Sequence, residues 1–184
     1  MERCGDCIAR EPAFNRCFTF ADYSEPWNHL LAAFKYRQHV ELAGCLAGGL
    51  GRALVAGQAP RPDWVLPIPL SRERLRERGY NQAFELTRRL AAGLGLATSA
   101  TLLQRYRDTP HQTGMTCAKR EHNLRDAFWV DDPGGSRLGG AHVALVDDVL
   151  TTGATASAAA LALQRAGASE VDVWVVARTP LGDD

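Results

Sequence analysis

The stretch that decides the fold runs from His142 to Gly167 and reads HVALVDDVLTTGATASAAALALQRAG. Val143 to Val146 form a short apolar run with two β-branched residues, the pattern of a strand covered on both faces, as in a mostly parallel sheet. Two adjacent carboxylates, Asp147 and Asp148, end it. Val149 and Leu150 then lead into Thr151, Thr152, Gly153, Ala154 and Thr155, a small, hydroxyl-rich turn that opens an alanine-rich helix expected to stop near Gly167. The order is strand, acid pair, hydroxyl turn, helix N-terminus.

That order carries a chemical expectation. The first N–H groups of a helix have no intrahelical acceptor and converge on any anion placed there, helped by the positive end of the helix dipole. The three threonines add hydroxyl donors, while Gly153 and Ala154 leave the backbone approachable. The dipole itself contributes only about 0.3–1 kcal/mol to an exposed charge, so the aimed donors must supply most of the binding. Asp147 and Asp148 would repel a phosphate set directly against them, and so are expected to face uncharged hydroxyls or a metal a few ångströms away. A sugar phosphate meets both halves. Threonines capping a helix, or acids at a strand end, are each common alone; their combination in this order points to a ligand site.

Working outward, the chain has 184 residues, enough for one substantial core and a small appendage. Its 21 basic and 21 acidic residues balance to zero formal charge, which removes any global electrostatic argument for nucleic-acid binding. Met1 to Asp6 is polar with no apolar stretch behind it, so no signal peptide is read, and no run reaches membrane-spanning length. The 5 cysteines, an odd and scattered set, do not suggest a secreted disulfide scaffold. The expected compartment is the cytoplasm.

Cys4-Gly5-Asp6-Cys7 is a C-x2-C knuckle whose thiolates could take two corners of a zinc tetrahedron. The second pair is missing, and spacing does not single out Cys17 or His29 to complete a site. Two readings stay open: half of a four-cysteine ribbon continued upstream, or two reduced surface thiols. Residues 1–25 are set apart on this basis as a partial zinc-ribbon remnant. Trp27 to Tyr36 has helical apolar spacing, and Glu41 to Ala56 reads as a second helix interrupted by Gly48, Gly49 and Gly51. A dinucleotide fingerprint is discounted there, because position 54 is Leu and no strand precedes it. Close helix approach explains the glycines better. The turn-rich QAPRP at Gln58 to Pro62 separates these helices, 26–57, from a sheet domain spanning 58–184.

Asp63 to Pro69 (DWVLPIP) is a short strand ended by prolines. Leu70 to Gln82 (LSRERLRERGYNQ) follows it, where ligand loops of open α/β sheets lie. In isolation its alternating charges would read as a solvated helix with internal ion pairs. At this location Arg72, Arg76 and Arg78 are candidates to grip a diphosphate with forked donors. Asn81 is a candidate N-cap for a helix from Gln82 to Ala92 with Ala83, Phe84, Leu86, Leu90 and Ala91 on its core face. Leu102 to Phe128 is polar and weakly periodic, a length uncommon unless functional or mobile. Val171 to Val176 supplies a last strand.

Val143 to Thr155 resembles the phosphoribosyl pyrophosphate signature of type I phosphoribosyltransferases, an apolar strand followed by two acids and a T-T/S-G-x-T loop. The resemblance implies an α/β fold of that type: a mostly parallel central sheet flanked by helices, with a small hood, and here an N-terminal helical and partial zinc-ribbon appendage. It implies that Asp147 and Asp148 hold the ribose hydroxyls as the catalytic pair, and that Thr151, Thr152, Gly153, Ala154 and Thr155 hold the 5′-phosphate. VLPIPLSRERLRERGYNQA, Val65 to Ala83, is similar to the segment that distinguishes the ComF family of competence-associated phosphoribosyltransferase-like proteins, with its P-x-P-L and R-x-R-G-[YF]-N-Q pattern. That likeness makes Ser71, Arg72, Arg76, Arg78, Gly79, Tyr80, Asn81 and Gln82 a pyrophosphate loop, with Ser71 where many relatives carry histidine. Leu102 to Phe128 resembles the family's R-x-R-x-T-x-x-Q…R-x-x-N…A-F segment through Arg105, Arg107, Thr109, Gln112, Arg120, Asn123, Ala127 and Phe128, which implies a flexible loop and hood over the site.

The resulting expectation is phosphoribosyl transfer from phosphoribosyl pyrophosphate to an acceptor the sequence does not name, in a protein linked to DNA uptake. Mg²⁺ is expected to come mainly with the substrate, and zinc at Cys4 and Cys7 would need further ligands. The rival expectation is a non-catalytic phosphosugar-sensing adaptor that binds single-stranded DNA or a competence or recombination protein, motivated by the family likeness and by Tyr80 and Tyr106 beside arginines. A homodimer is left open.

Overall fold

A computed structural model describes residues 11–36, 39–106, 127–135 and 137–180. β6 (His142–Leu150) lies at the centre of a five-stranded sheet of order β1-β7-β6-β2-β3. Its neighbours β7 (Glu170–Arg178) and β2 (Trp64–Pro67) both run parallel to it, and β1 (Arg16–Asp22) and β3 (Ala97–Thr98) extend the sheet in the same sense. Successive residues of a strand face opposite sides, so each strand feeds two cores. Val143 and Leu145 face one, Ala144 and Val146 the other.

On the second face lie α1 (Trp27–Tyr36), α2 (Leu42–Ala56) and α4 (Gln82–Leu94), which bury Leu31, Phe34, Leu46, Leu50, Leu86 and Leu90 against Trp174 and Val176. On the first face α5 (Ala154–Arg165) presents Ala156, Ala159, Ala160 and Leu163, and its small side chains let the helix axis approach the sheet closely. An antiparallel hairpin of β4 (Leu103–Arg105) and β5 (Phe128–Val130) packs Leu102, Leu103, Ala127 and Phe128 into the same core. This is the mostly parallel, helix-flanked sheet expected from sequence. No helix among the described residues is long and apolar enough to cross a membrane.

Four local features differ from expectation. Residues 1–25 were set apart as an appendage, yet Arg16–Asp22 is a strand of the central sheet. As an edge strand, β1 is partly covered along its length and shows no clean alternation to read. The three glycines do not interrupt α2, because packing on the sheet outweighs a cost of about 1 kcal/mol per glycine. One is required: a Cβ at Gly49 would stand 2.7 Å from the ring of Phe20 in β1. The strand expected to stop at Val146 continues through both acids to Leu150, since Asp147, Val149 and Leu150 still pair with β7. Finally, the expected arginine loop is a two-turn helix, α3 (Arg72–Arg78), that buries none of its residues.

Candidate active site

Parallel strands bring their C-terminal ends to one edge of the sheet, where ligands of open α/β folds bind. The ends of β6 and β2 are adjacent there. Asp147 and Asp148 are consecutive strand residues, so they leave the sheet on opposite sides. Asp148 turns toward the layer of α1, α2 and α4. It is 3% exposed and meets Lys35, whose ammonium nitrogen lies 3.0 Å from Oδ1 in hydrogen-bond geometry. Nζ is also 3.0 Å from Oδ2, but without that geometry, and Oδ2 is buried with no hydrogen bond.

Asp147 carries part of its side chain to the surface and accepts the Asp148 N–H at 2.8 Å. Dense protein around the carboxyl, and next the Asp148 charge, push its pKa up to about 7 against the opposing pull of Lys35. For Lys35, burial pulls the ammonium down, but Asp148 and then Asp147 outweigh it and hold its pKa above the ordinary value. The crevice therefore holds a charged lysine on one acid while the other titrates near neutrality.

Beyond Leu150 the chain turns into α5 through Gly153, whose φ of +75° favours glycine. The helix begins without a side-chain cap at Gly153 itself, and the Ala154 N–H reaches Thr152 Oγ1 only at 3.5 Å. Its remaining early donors have no side-chain acceptor among the described residues. Thr151 and Thr152 are exposed and Thr155 is half-buried, so the expected cradle is open to solvent. Phe14 walls one flank, its ring 3.6 Å from where a Cβ at position 153 would stand. Thr179, at the end of the neighbouring β7, donates its N–H to Leu150 O at 3.0 Å and keeps a buried hydroxyl with no hydrogen-bond partner.

The segment expected to grip a diphosphate divides in two. Ser71 is buried and caps α3, accepting the Arg74 N–H at 3.2 Å. Gly79 closes that helix with φ of +79°. Asn81 accepts the N–H groups of Ala83 and Phe84 as N-cap of α4 and donates to Ile68 O at 3.1 Å. Tyr80 donates its hydroxyl to Phe34 O, and Gln82 donates to Lys35 O at 3.2 Å, so both satisfy carbonyls at the end of α1. Arg78 bonds Gln82 at 3.2 Å and stacks 5.3 Å from the Tyr36 ring centre. The R-G-Y-N-Q residues thus build the site's wall, whereas Arg72 and Arg76 are exposed, with no partner among the described residues.

Of the hood residues, Arg105 stacks 5.3 Å from the centre of its cross-strand partner Phe128. Thr109, Gln112, Arg120 and Asn123 lie outside the described residues, as do Cys4 and Cys7. Cys17 is half-buried in β1, and His29 is exposed and paired with Glu25 at 3.2 Å. Sequence reasoning missed Lys35, which lies within the helix read from Trp27 to Tyr36. Its only signal was a single lysine one residue before the end of the helix, and its partner is 113 positions away. A groove of about 760 Å³ between α2 and α4, lined by Gly48, Gly51, Val55, Arg89 and Leu94 among others, includes none of these residues.

No protein-family profile matches the chain. Over 180 residues it is 34% identical to the DNA utilization protein YhgH of Salmonella typhi, covering 96% of this chain and 78% of that protein. Over 181 residues it is 32% identical to Competence protein F of Haemophilus influenzae, with 96% and 79% covered. The chain belongs to the ComF family. Its fold is similar to that of the glutamine phosphoribosylpyrophosphate amidotransferase of B. subtilis, with a TM-score of 0.52 and 20% identity over 79% of this chain and 30% of that one. The ComF-family chain therefore has the type I phosphoribosyltransferase fold, and its acid pair and threonine turn sit at the C-terminal strand ends, the edge where open α/β sheets in general bind ligands.

Proposed function

We propose that this ComF-family chain binds phosphoribosyl pyrophosphate at the ends of β6 and β2 and transfers its phosphoribosyl group to an acceptor in the service of DNA uptake. The observation that carries this reading is an open cradle of donors around Gly153, directly beyond an acid pair of which Asp148 is buried and Asp147 half-buried, at one end of a parallel sheet. In the reaction the bond from ribose C1 to the diphosphate oxygen breaks, with the electron pair leaving on pyrophosphate, and a bond from the acceptor to C1 forms. Positive charge grows on the sugar and negative charge on the leaving group. In this reading Asp147 meets the first, and Arg72 and Arg76, exposed on α3, meet the second.

Magnesium does not fit the acid pair as a resident ion. The Lys35 ammonium already lies 3.0 Å from both Asp148 oxygens and occupies the place a cation would take there. An Mg²⁺ ion in this reading is part of the diphosphate substrate, in line with its preference for phosphate oxygens and water. The link to DNA uptake is supported by the names of the relatives, a competence protein and DNA utilization proteins.

The test is a calorimetric titration with phosphoribosyl pyrophosphate and Mg²⁺, paired with pyrophosphate release. Asp148→Asn leaves Lys35 without its counter-charge and is expected to weaken binding or turnover about 100-fold. Pyrophosphate release indifferent to that change would end the transferase reading. The second reading, a phosphosugar-sensing adaptor on single-stranded DNA, is favoured by Tyr36 and Tyr106, 70% and 65% exposed, with Tyr36 beneath Arg78. Salt-dependent binding of single strands by the wild type, lost in Arg76→Ala without any pyrophosphate release, would decide for it.

A further inference from the structure

Lys35 is held in place from two sides. The carbonyls of Phe34 and Lys35 are bonded by Tyr80 and Gln82, so the end of α1 is tied to the segment that follows α3. The Lys35 side chain, 25% exposed, then crosses to Asp148, whose side chain is 5% exposed beneath it. Its ammonium stays charged through the neutral range because both acids act on it. An ammonium carries three donors, so the bond to Asp148 Oδ1 leaves others for a ligand.

The position matters because two adjacent carboxylates are otherwise an invitation to a divalent cation. Mg²⁺ demands oxygen ligands at about 2.0–2.1 Å in octahedral array. With Nζ already 3.0 Å from both oxygens, the ammonium charge opposes a second cation at Asp148. A vicinal diol is neutral and meets no such conflict: its hydroxyls can donate to a carboxylate and accept from an ammonium.

We propose that Lys35 is a specificity-determining residue of this site: its ammonium, seated on Asp148, holds the place of a divalent cation, so that the crevice takes the neutral hydroxyls of a phosphorylated pentose and refuses free metal. The inference rests on the phosphopentose reading given above. It makes a prediction that a purely structural lysine does not, namely that replacing Lys35 changes which class of ligand the crevice accepts.

The probes are ribose 5-phosphate and Mg²⁺, titrated separately and together into the full chain. Wild type is expected to bind ribose 5-phosphate equally well in chelator and in Mg²⁺, and to show no Mg²⁺ binding at the acid pair when the sugar is absent. Lys35→Met is expected to lose at least tenfold in ribose 5-phosphate affinity in chelator, to acquire Mg²⁺ binding that Asp148→Asn abolishes, and to regain sugar affinity when Mg²⁺ is added. Lys35→Arg is expected to restore the wild-type pattern. Ribose 5-phosphate binding by Lys35→Met equal to wild type, with no new Mg²⁺ binding, overturns the proposal. So does Mg²⁺ binding by wild type without sugar that is lost in Asp148→Asn, a measurement that holds even if Lys35→Met fails to fold. Failure of wild type to bind ribose 5-phosphate at all instead overturns the underlying phosphopentose reading.

Discussion

The two ends of the central sheet each carry a buried aspartate on a neighbouring strand, and they are finished differently. At the N-terminal end Asp172 of β7, fully buried, accepts Arg16 Nε at 3.0 and 3.2 Å and meets His142 Nε2 at 3.0 Å, while the same guanidinium reaches Glu170. At the C-terminal end Asp148 of β6 has one hydrogen bond from Lys35, and its other oxygen has none. Donor chemistry alone would mislead: among the described residues His142, Glu170 and Asp172 form the only group of three or more with metal-ligand spacing. Arg16 already fills it. Buried polar atoms in folded proteins are nearly all satisfied, so the incompletely paired cluster is the one that asks for a ligand.

The largest way to break this comparison is Arg16→Met. It leaves Asp172 buried with only His142 to answer it, and breaking a buried pair from one side costs about 3–5 kcal/mol. Because the Arg16 side chain is 27% exposed, a loss toward about 3 kcal/mol is expected from urea unfolding, with sugar-phosphate affinity of the folded fraction unchanged. A loss of affinity without loss of stability would mean that the two ends are not the separate clasp and site described here.

A smaller effect tests the other end through pH. The Asp147 carboxyl has a folded value of about 7 against an ordinary 3.8, so the folded state binds the proton more tightly than the unfolded chain. Stability contributed by this group is full below the unfolded value and declines as pH rises toward about 7, then stays level. Asp147→Asn keeps an oxygen acceptor for the Asp148 N–H and removes the titration. Its stability advantage over wild type is expected to be absent near about pH 4 and present near about pH 8, smaller than the Arg16 effect because part of the side chain reaches solvent. Equal midpoints for the two proteins at both values would show that the Asp147 carboxyl is not desolvated.

Which parts of this were legible in sequence follows from how local the physics is. The acid pair, the threonine turn and the start of α5 are contiguous, and each is fixed by its own backbone: a strand, a positive φ at Gly153 and uncapped donors. Asn81 as a cap was equally readable, because a cap acts within three residues. Lys35 was not, since its role exists only once α1 lies across the end of β6. The same holds for β1: the half-covered RCFTFAD acquires meaning only from Trp174 and Val175 beside it and Gly49 above it. At α3 the charge alternation was the better guide: four arginines and two glutamates make a helix without a buried face, and it was the segment's place after a strand end that suggested a loop.

Gly153→Ala sharpens the contrast at the next lower magnitude. An L residue in the left-handed region costs about 1–2 kcal/mol, and the added Cβ meets Phe14 at an ordinary 3.6 Å, so the penalty is conformational rather than a clash. Relief of that penalty means tilting the turn and its donors. A stability loss of about 1 kcal/mol is expected with roughly tenfold weaker phosphate binding by calorimetry, whereas Arg16→Met moves only the first of these. Unchanged phosphate binding in the alanine variant would show that the Gly153 turn does not form the cradle.

The smallest change separates members of the clasp itself. Glu170 is 37% exposed and touches the outer edge of the Arg16 guanidinium, while Asp172 takes the inner Nε in a fully buried position. Solvent already screens Glu170, and an ion pair of that exposure contributes about 0–1 kcal/mol. Glu170→Gln keeps the size and one acceptor, so unfolding by urea should register less than about 1 kcal/mol, well below Arg16→Met. A loss equal to that of Arg16→Met would mean the three side chains act as one cooperative unit, and that burial does not rank them. A satisfied clasp and an unfinished site would then differ in network completeness alone, with no role for depth.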